Sequence, residues 1–217
     1  MSTESAVANP GDSTTVAESV FARIYDLILL GELKPGEVIK ESVLSVRFGV
    51  SRGPVREAVN RLRGLGLVEK EAYGRAHVSE LTLETVIEIF QLREVVEGLA
   101  ARLTAENATS AQLDALLVDY KAWQSQPSDG DFDLHVRLAK MSGNEYVERL
   151  FCNELNYQLR RYRMLSGEAP GRHGDASTEH WQILRAIHSR DGELAESLMR
   201  SHIKRARYQL SNVLGDT

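Results

Sequence analysis

From residue 81 to the C-terminus, the apolar residues recur only at the spacing of amphipathic helices. Breaks rich in glycine, proline and aspartate divide this segment, and no internal repeat is visible. The predicted helices span residues 82–107, 110–123, 131–141, 145–165, 175–190 and 192–213. Thr109-Ser110-Ala111-Gln112 is a capping box that begins the second of them. Such a chain buries its apolar faces by packing helix on helix, so we predict an all-helical bundle of about six helices.

The residues before this segment predict a second architecture. Helical patterns end at Gly31, Gly49 and Gly64, and two short extended segments, residues 67–70 and 75–78, follow as a β-hairpin. Three helices with a tight second turn and a hairpin are the elements of a winged helix-turn-helix. We therefore predict a mainly α protein with a flexible leader, a winged helix-turn-helix DNA-binding domain and an all-helical domain. These span residues 1–15, 16–80 and 81–217.

The composition excludes several classes of protein. Hydrophobic residues make up 42% of the chain and charged residues 26%, which is the balance of a globular protein and not of a disordered one. No run of about 18 apolar residues is present, and the N-terminus lacks the basic and apolar regions of a signal peptide, so we expect a cytoplasmic protein without a membrane partner. The single cysteine, Cys152, lies among apolar neighbours. We expect a small core residue without a redox role.

The charge of the chain is distributed unevenly. The formal net charge is −5, which by itself argues against a nucleic-acid partner. Residues 45–63, however, carry five arginines and only one acidic residue, Glu57. The arginines are Arg47, Arg52, Arg56, Arg61 and Arg63. This local excess of positive charge lies on and just before the third predicted helix, and it indicates a DNA-binding surface.

The third helix has the layout of a recognition helix. Ser51 is its predicted N-cap and Pro54 lies in its first turn, which puts Arg52 and Arg56 on one exposed face. In a helix-turn-helix, the N-terminal residues of the second helix enter the major groove, where arginine binds guanine. Ser51 and Gly53 let the helix end approach a phosphate. The alternative to a recognition helix is an ordinary surface helix with a solvated basic face. The wing would lie beside the groove with Tyr73, Gly74 and Arg75.

Residues 31–70 closely resemble the DNA-binding domain of the GntR family of bacterial transcription regulators. The resemblance rests on the spacing between the motifs GELKPG and FGVSRGPVREA. It implies that Arg52 and Arg56 contact bases of a double-stranded operator, with Ser51 and the wing tip at the backbone or minor groove. Gly53 stands where the family usually has threonine, which removes one hydroxyl contact.

Acidic and histidine residues in the helical segment have the spacing of a metal site. Asp131 and His135 lie at i and i+4, one turn apart on one helix face. His180 and His202 each lie 11 residues from Asp191, in the predicted turn of a helical hairpin, so their imidazoles come level on antiparallel helices. Three imidazoles and a carboxylate suit zinc, with nickel, manganese or iron as alternatives, and leave positions open for an oxygen ligand. The alternative is that these aspartate and histidine residues are ordinary surface or capping residues of amphipathic helices.

The pattern Asp-x-x-Leu-His before Ser-Gly-Asn at 142–144, with the later Glu-His and His-Ile pairs, resembles the all-helical effector domain of the FCD subgroup of the GntR family. The resemblance covers residues 16–213. It implies four metal ligands and a small carboxylate effector at the open positions. The ligands are Asp131, His135, His180 and His202. Arg93 and Asn144 are candidate effector contacts, and a salt bridge to Glu97 at i+4 is the alternative for Arg93.

These features favour a transcription regulator that binds a palindromic operator as a homodimer and responds to a small carboxylate at its metal site. An open metal site that activates water would instead make the chain a metal-dependent hydrolase, but the motifs place no general base beside the ligands. A third hypothesis keeps the regulator and makes the metal itself the signal, or a structural clamp without an effector. We expect no catalytic residues.

Overall fold

The computed structural model of the protein describes residues 15–70, 74–80, 82–125, 133–166 and 172–215. The chain divides after Glu80 into two compact units. Within the described ranges, no helix combines the length and the apolarity that are needed to cross a membrane.

The described part of the first unit consists of three helices and a two-stranded sheet. The helices are α1 (Val16–Leu29), α2 (Glu41–Phe48) and α3 (Arg52–Gly64), and the strands are β1 (Val68–Lys70) and β2 (Ala76–Val78). The strands pair antiparallel, with Glu69 opposite His77. An isolated bridge from Val38 to His77 extends the sheet by one residue. The predicted winged helix-turn-helix is confirmed.

The turn between α2 and α3 depends on one glycine. Gly49 ends α2 in the left-handed conformation, with a φ of 68°, which a residue without Cβ adopts at little cost. Ser51 then takes the N-cap position of α3. The apolar face of α3 is buried through Val55, Ala58, Val59 and Leu62. Its remaining face, which carries the arginines, lies at the surface.

The second unit is helical throughout its described part. It consists of α4 (Leu83–Asn107), α5 (Ser110–Ser125), α6 (Leu134–Met141), α7 (Glu145–Arg149), α8 (Asn156–Ser166), α9 (Arg172–His188) and α10 (Gly192–Gly215). A π-helical segment, Leu150–Leu155, joins α7 directly to α8. The predicted helix over 145–165 is therefore present but is not a regular α-helix. The predicted mainly α architecture is confirmed.

Close packing of α4 against α10 organises this unit. Gly98 permits the approach, because a Cβ at this position would lie 2.8 Å from Cγ of Arg200. One turn earlier on α4, the buried Glu94 pairs with Arg200 at 3.2 Å and with Lys204 at 3.3 Å. These contacts hold the two longest helices side by side.

The start of α5 is fixed locally. The backbone N–H of Thr109 donates to Oε1 of Gln112 at 2.8 Å, and the backbone N–H of Gln112 donates to Oγ1 of Thr109 at 3.3 Å. Each side chain thus satisfies a backbone donor that the helix leaves unpaired. The predicted capping box is confirmed.

Candidate metal centre and nucleic-acid interface

Three imidazoles from three helices meet inside the second unit. His135 lies in the first turn of α6, His180 lies on α9 and His202 lies on α10. The distances between their ring centroids are 5.2, 5.3 and 4.6 Å. One nitrogen from each ring lies within 4.8 Å of the others. The structure thus brings together three of the four predicted metal ligands, and the fourth, Asp131, lies outside the described residues.

A helical hairpin places two of these imidazoles. Its turn passes through Arg190, which has a φ of 62°, and Asp191, whose side chain accepts the backbone N–H of Leu194 at 3.0 Å. His180 and His202 lie at the same number of residues before and after Asp191. Their Nε2 atoms are 3.2 Å apart. The two rings are therefore in contact, as their equal distance from the hairpin turn predicts.

His135 is held by groups on two helices. Asp133, the N-cap of α6, accepts the backbone N–H of His135 at 3.1 Å. Nδ1 of the imidazole lies against Oε2 of Glu97 on α4, and Oε1 of Glu97 accepts from Nε of Arg93 at 2.6 Å. We call Arg93, Glu97 and His135 the inner chain, because only 4%, 3% and 8% of their side chains are exposed.

His202 is held by a second set of the same kind. Nδ1 of His202 lies 2.6 Å from Oε2 of Glu179, and Oε1 of Glu179 accepts from a guanidinium nitrogen of Arg205 at 2.7 Å. We call Arg205, Glu179 and His202 the outer chain, because 60% of the Arg205 side chain is exposed. The outer chain runs from the surface to the buried imidazole.

The partners of both glutamates keep them ionised. Burial raises the pKa of Glu97, but Arg93 and His135 outweigh burial and lower this pKa from 4.5 to about 2. Burial also raises the pKa of Glu179, but hydrogen bonds from His202 and Arg205 outweigh it, so this pKa lies below its ordinary value. At neutral pH both side chains are carboxylates, which only accept hydrogen bonds.

The geometry of the three imidazoles fits a metal ion. Two nitrogens that bind one tetrahedral zinc ion at about 2.1 Å lie about 3.4 Å apart, and the Nε2 atoms of His180 and His202 lie 3.2 Å apart. In His135 and His202, Nδ1 faces a carboxylate, which leaves Nε2 as the nitrogen that can bind a metal. The described residues can therefore hold a metal ion through three nitrogens.

The two candidate effector contacts have partners within the protein. Arg93 forms the ion pair with Glu97 that is the predicted alternative to an effector role. Asn144 is the N-cap of α7, where its Oδ1 accepts the backbone N–H groups of Tyr146 and Val147 at 3.0 and 3.1 Å. A role for Arg93 or Asn144 in binding an effector stays a prediction.

Glu97 and Glu179 were not among the predicted site residues. Glu97 has a signal in the sequence, since it lies four residues after Arg93, but that spacing shows only one of its two partners. Glu179 directly precedes His180 in the sequence, yet the imidazole that it contacts belongs to His202. The packing of α9 against α10 is needed to see that contact.

The predicted recognition helix presents donors at its N-terminal end. Ser51, Arg52 and Gly53 are exposed at the start of α3. The Arg56 side chain is 66% exposed, and its Nε lies 3.4 Å from Oε2 of Glu41 on α2. These groups are accessible on the surface that enters the major groove in helix-turn-helix proteins.

The other predicted DNA contacts have different surroundings. Arg47 pairs with Glu32 at 2.7 Å, and about half of each side chain is exposed. Gly74 is partly buried and Arg75 is exposed, directly before β2. Tyr73 lies outside the described residues.

One arginine of the basic cluster has a structural role. Arg61 pairs with Glu18 of α1 at 3.2 Å. Its guanidinium also lies 4.1 Å from the centre of the Phe21 ring, which is within the range of a cation–π contact. Arg61 therefore joins α3 to α1.

An exposed arginine face on a winged helix-turn-helix, together with a helical domain that contains a buried imidazole cluster, is typical of a DNA-binding regulator. Sequence profiles agree with this class. The profile described as bacterial regulatory proteins, gntR family, matches residues 16–78, and the profile of the FCD domain matches residues 88–205. The chain belongs to the gntR family of bacterial regulatory proteins and carries an FCD domain. It is a DNA-binding transcription regulator.

Named relatives and solved structures agree with this assignment. The HTH-type transcriptional regulator LutR of Bacillus subtilis is 29% identical over 205 residues, which cover 82% of this chain and 93% of LutR. The HTH-type transcriptional repressor NanR of Citrobacter rodentium is 28% identical over 215 residues, which cover 87% of this chain and 82% of that NanR. The solved structure of E. coli McbR/YncC has the same fold, with a TM-score of 0.72 and 19% identity over 92% of this chain and 99% of that chain.

Proposed function

We propose that this regulator binds its operator under the control of a small carboxylate, which binds at a metal ion in the helical domain. The observation that carries the proposal is the convergence of His135, His180 and His202, whose ligand nitrogens lie within 4.8 Å of one another. Burying polar rings side by side costs desolvation free energy. A bound metal ion offsets that cost, so the buried cluster supports a ligand-binding role.

Zinc is the metal that the donor set favours. Three neutral imidazoles with Asp131 as the fourth ligand suit zinc, and they also accommodate nickel, manganese or iron. When bound, the ion supplies positive charge and open positions for oxygen ligands. The protein residues supply the cavity and the orientation of the donors.

The charges around the site favour an anionic effector. In the inner chain Arg93 balances Glu97, and in the outer chain Arg205 balances Glu179. Because the imidazoles bind metal in their neutral form, these described groups add no net charge to a divalent ion. With Asp131 as a further ligand, one positive charge remains, which a single carboxylate neutralises. A small carboxylate is therefore the effector class that we propose.

We expect the metal-loaded protein to bind small carboxylates and the metal-free protein to bind none. Isothermal titration calorimetry with a panel of carboxylic acids, before and after chelation, measures this difference. His188→Ala is the matched control, because His188 lies on the same helix as His180 but contacts Asp114 at 3.0 Å. This variant should bind carboxylate as the wild type does. A gel shift with an operator selected from random DNA, with and without the bound acid, then measures the effect on DNA binding.

Two results of the calorimetry would contradict the proposal. Equal carboxylate affinity in the presence and absence of metal would mean that the metal is not the receptor. If the protein binds metal but no acid in the panel gives a heat of binding, the result would favour the hypothesis that the metal itself is the signal, or a structural clamp.

We also propose that the regulator acts as a homodimer on a palindromic operator. On α4, Leu92, Val95 and Leu99 are 43%, 56% and 37% exposed, and their spacing puts them on one helix face. Contiguous exposed apolar residues mark interaction surfaces. Two copies of the chain supply the two recognition helices that a palindrome requires.

Val95→Glu is expected to convert the dimer to a monomer, because a charge in an apolar interface is desolvated without a partner. Size-exclusion chromatography with light scattering measures the mass. Val118→Glu is the matched control, since Val118 lies on α5 and is 65% exposed, and it should leave the mass unchanged. A dimer of Val95→Glu with the wild-type dissociation constant would place the interface elsewhere.

A further inference from the structure

We propose that Glu97 and Glu179 are positioning residues, which fix the imidazoles of His135 and His202 in the tautomer that binds metal through Nε2. The inference rests on the proposed function, because it assigns roles at the same metal site. Its basis is the repeated arrangement of the inner and outer chains.

In both the inner chain and the outer chain of side chains, the glutamate divides its two oxygens between a guanidinium and an imidazole. In the inner chain, Oε1 accepts from Arg93 and Oε2 lies against Nδ1 of His135. In the outer chain, Oε1 likewise accepts from the arginine and Oε2 faces Nδ1 of the histidine. The sequence of contacts from arginine to glutamate to histidine thus occurs on two different pairs of helices, α4 with α6 and α9 with α10. In both cases the histidine belongs to the imidazole cluster.

A carboxylate that faces Nδ1 decides which ring nitrogen carries the proton. Because an ionised carboxylate only accepts hydrogen bonds, the Nδ1 that faces it carries the N–H. The neutral ring then has its lone pair on Nε2, the atom that binds the metal. Metal-binding histidines commonly depend on such an outer partner for their orientation and tautomer. Glu97 and Glu179 therefore prepare two of the three described ligand nitrogens.

The arginines keep each carboxylate in this orientation. Arginine only donates hydrogen bonds, so it holds one glutamate oxygen and leaves the other for the imidazole. The inner chain is enclosed, and loss of the Glu97 charge would leave Arg93 buried without a counter-charge. The outer chain ends at Arg205, which is 60% exposed and stays hydrated without its partner. A change at Glu179 therefore threatens the fold less than a change at Glu97.

Glutamine separates the role of the carboxylate from its shape, because it has one acceptor oxygen and one donor amide group. The oxygen faces the arginine, and the amide then faces Nδ1, which must accept. The proton moves to Nε2 and blocks metal binding. We expect Glu97→Gln and Glu179→Gln each to weaken zinc binding by about 10- to 100-fold, measured by competition with a chromophoric chelator.

Glu94→Gln is the matched control for both variants. Glu94 is a buried glutamate of α4, but it pairs with Arg200 and Lys204 and not with an imidazole. Its substitution should leave the zinc dissociation constant unchanged, even where it lowers the melting temperature. Should Glu97→Gln fail to fold, Glu179→Gln carries the test.

A second measurement reads the tautomers directly. Long-range nitrogen–proton NMR correlations on the metal-free protein should show Nδ1–H for His135 and His202, and Nε2–H for His202 in Glu179→Gln. Because this measurement needs no metal, the two proposals fail separately. A wild type that binds none of zinc, nickel, manganese or iron but shows both Nδ1–H tautomers would overturn the proposed function and support the tautomers that we assign to the two glutamates. Nε2–H tautomers in the wild type, or wild-type zinc affinity in folded Glu179→Gln, would overturn the positioning role.

Discussion

His202→Ala is expected to abolish metal binding at the proposed site, together with the stabilisation that a bound metal gives the folded state. His202 supplies one of the three imidazoles and contacts Glu179 on α9, so its loss opens the cluster. A metal that binds only the folded state stabilises it by about 2.7 kcal/mol at a free concentration 100-fold above its dissociation constant. Chelation should therefore lower the melting temperature of the wild type and leave that of His202→Ala unchanged. Elemental analysis and thermal melts measure the two effects.

His188→Ala is the control for this experiment. The His188 side chain is 47% exposed and contacts Asp114 of α5, so its loss should change neither metal content nor the response to chelation. A wild-type protein with a metal content near zero, which added zinc, nickel or manganese does not restore, would show that the three imidazoles do not form a metal site.

Arg56→Ala is expected to abolish the preference for operator over unrelated DNA and to leave the fold intact. A bidentate contact between arginine and guanine discriminates by about 1–3 kcal/mol, and the proposed homodimer would lose this contact at both recognition helices. The pair of Arg56 with Glu41 spans 3.4 Å, and the Arg56 side chain is 66% exposed. Such surface pairs contribute little to stability. Fluorescence anisotropy with the selected operator and a scrambled duplex measures discrimination, and circular dichroism measures the fold.

Arg63→Ala is the matched control on the same helix. Arg63 is exposed in the last turn of α3, at the end opposite to the predicted DNA contacts. Its loss should leave the discrimination between the two duplexes unchanged, because a residue that does not reach the base edges carries no sequence information. Unchanged operator affinity in Arg56→Ala would assign base recognition to other residues.

Features that depend on neighbouring residues could be predicted from the sequence. The capping box of Thr109 and Gln112 is complete within four residues, and the left-handed Gly49 sets the turn of the helix-turn-helix. The contact between His180 and His202 could be predicted because helical rise per residue is nearly constant. Equal distances from the hairpin turn then bring the two side chains level.

Features that depend on packing between helices could not be predicted. The sequence gives the spacing of Arg93 and Glu97, but only the packing of α6 on α4 brings His135 to the second oxygen of Glu97. The contact of Glu179 with His202 has the same origin on α9 and α10. Side chains that touch across helices have no fixed spacing in the sequence.

The π-helical segment Leu150–Leu155 gives the helix formed by α7 and α8 a single apolar face. Val147, Phe151, Leu155 and Leu159 follow one another every four residues, and all are buried in one cluster. In a regular α-helix each such step overshoots a full turn by about 40°, so the last side chain would point about 120° away from the first. The wider π turn absorbs this rotation. Deleting one residue between 152 and 154 would leave steps of four, three and four, which a regular α-helix presents on one face. We therefore expect that the deletion of one residue in this segment converts it to a regular α-helix and keeps the four apolar side chains on one face.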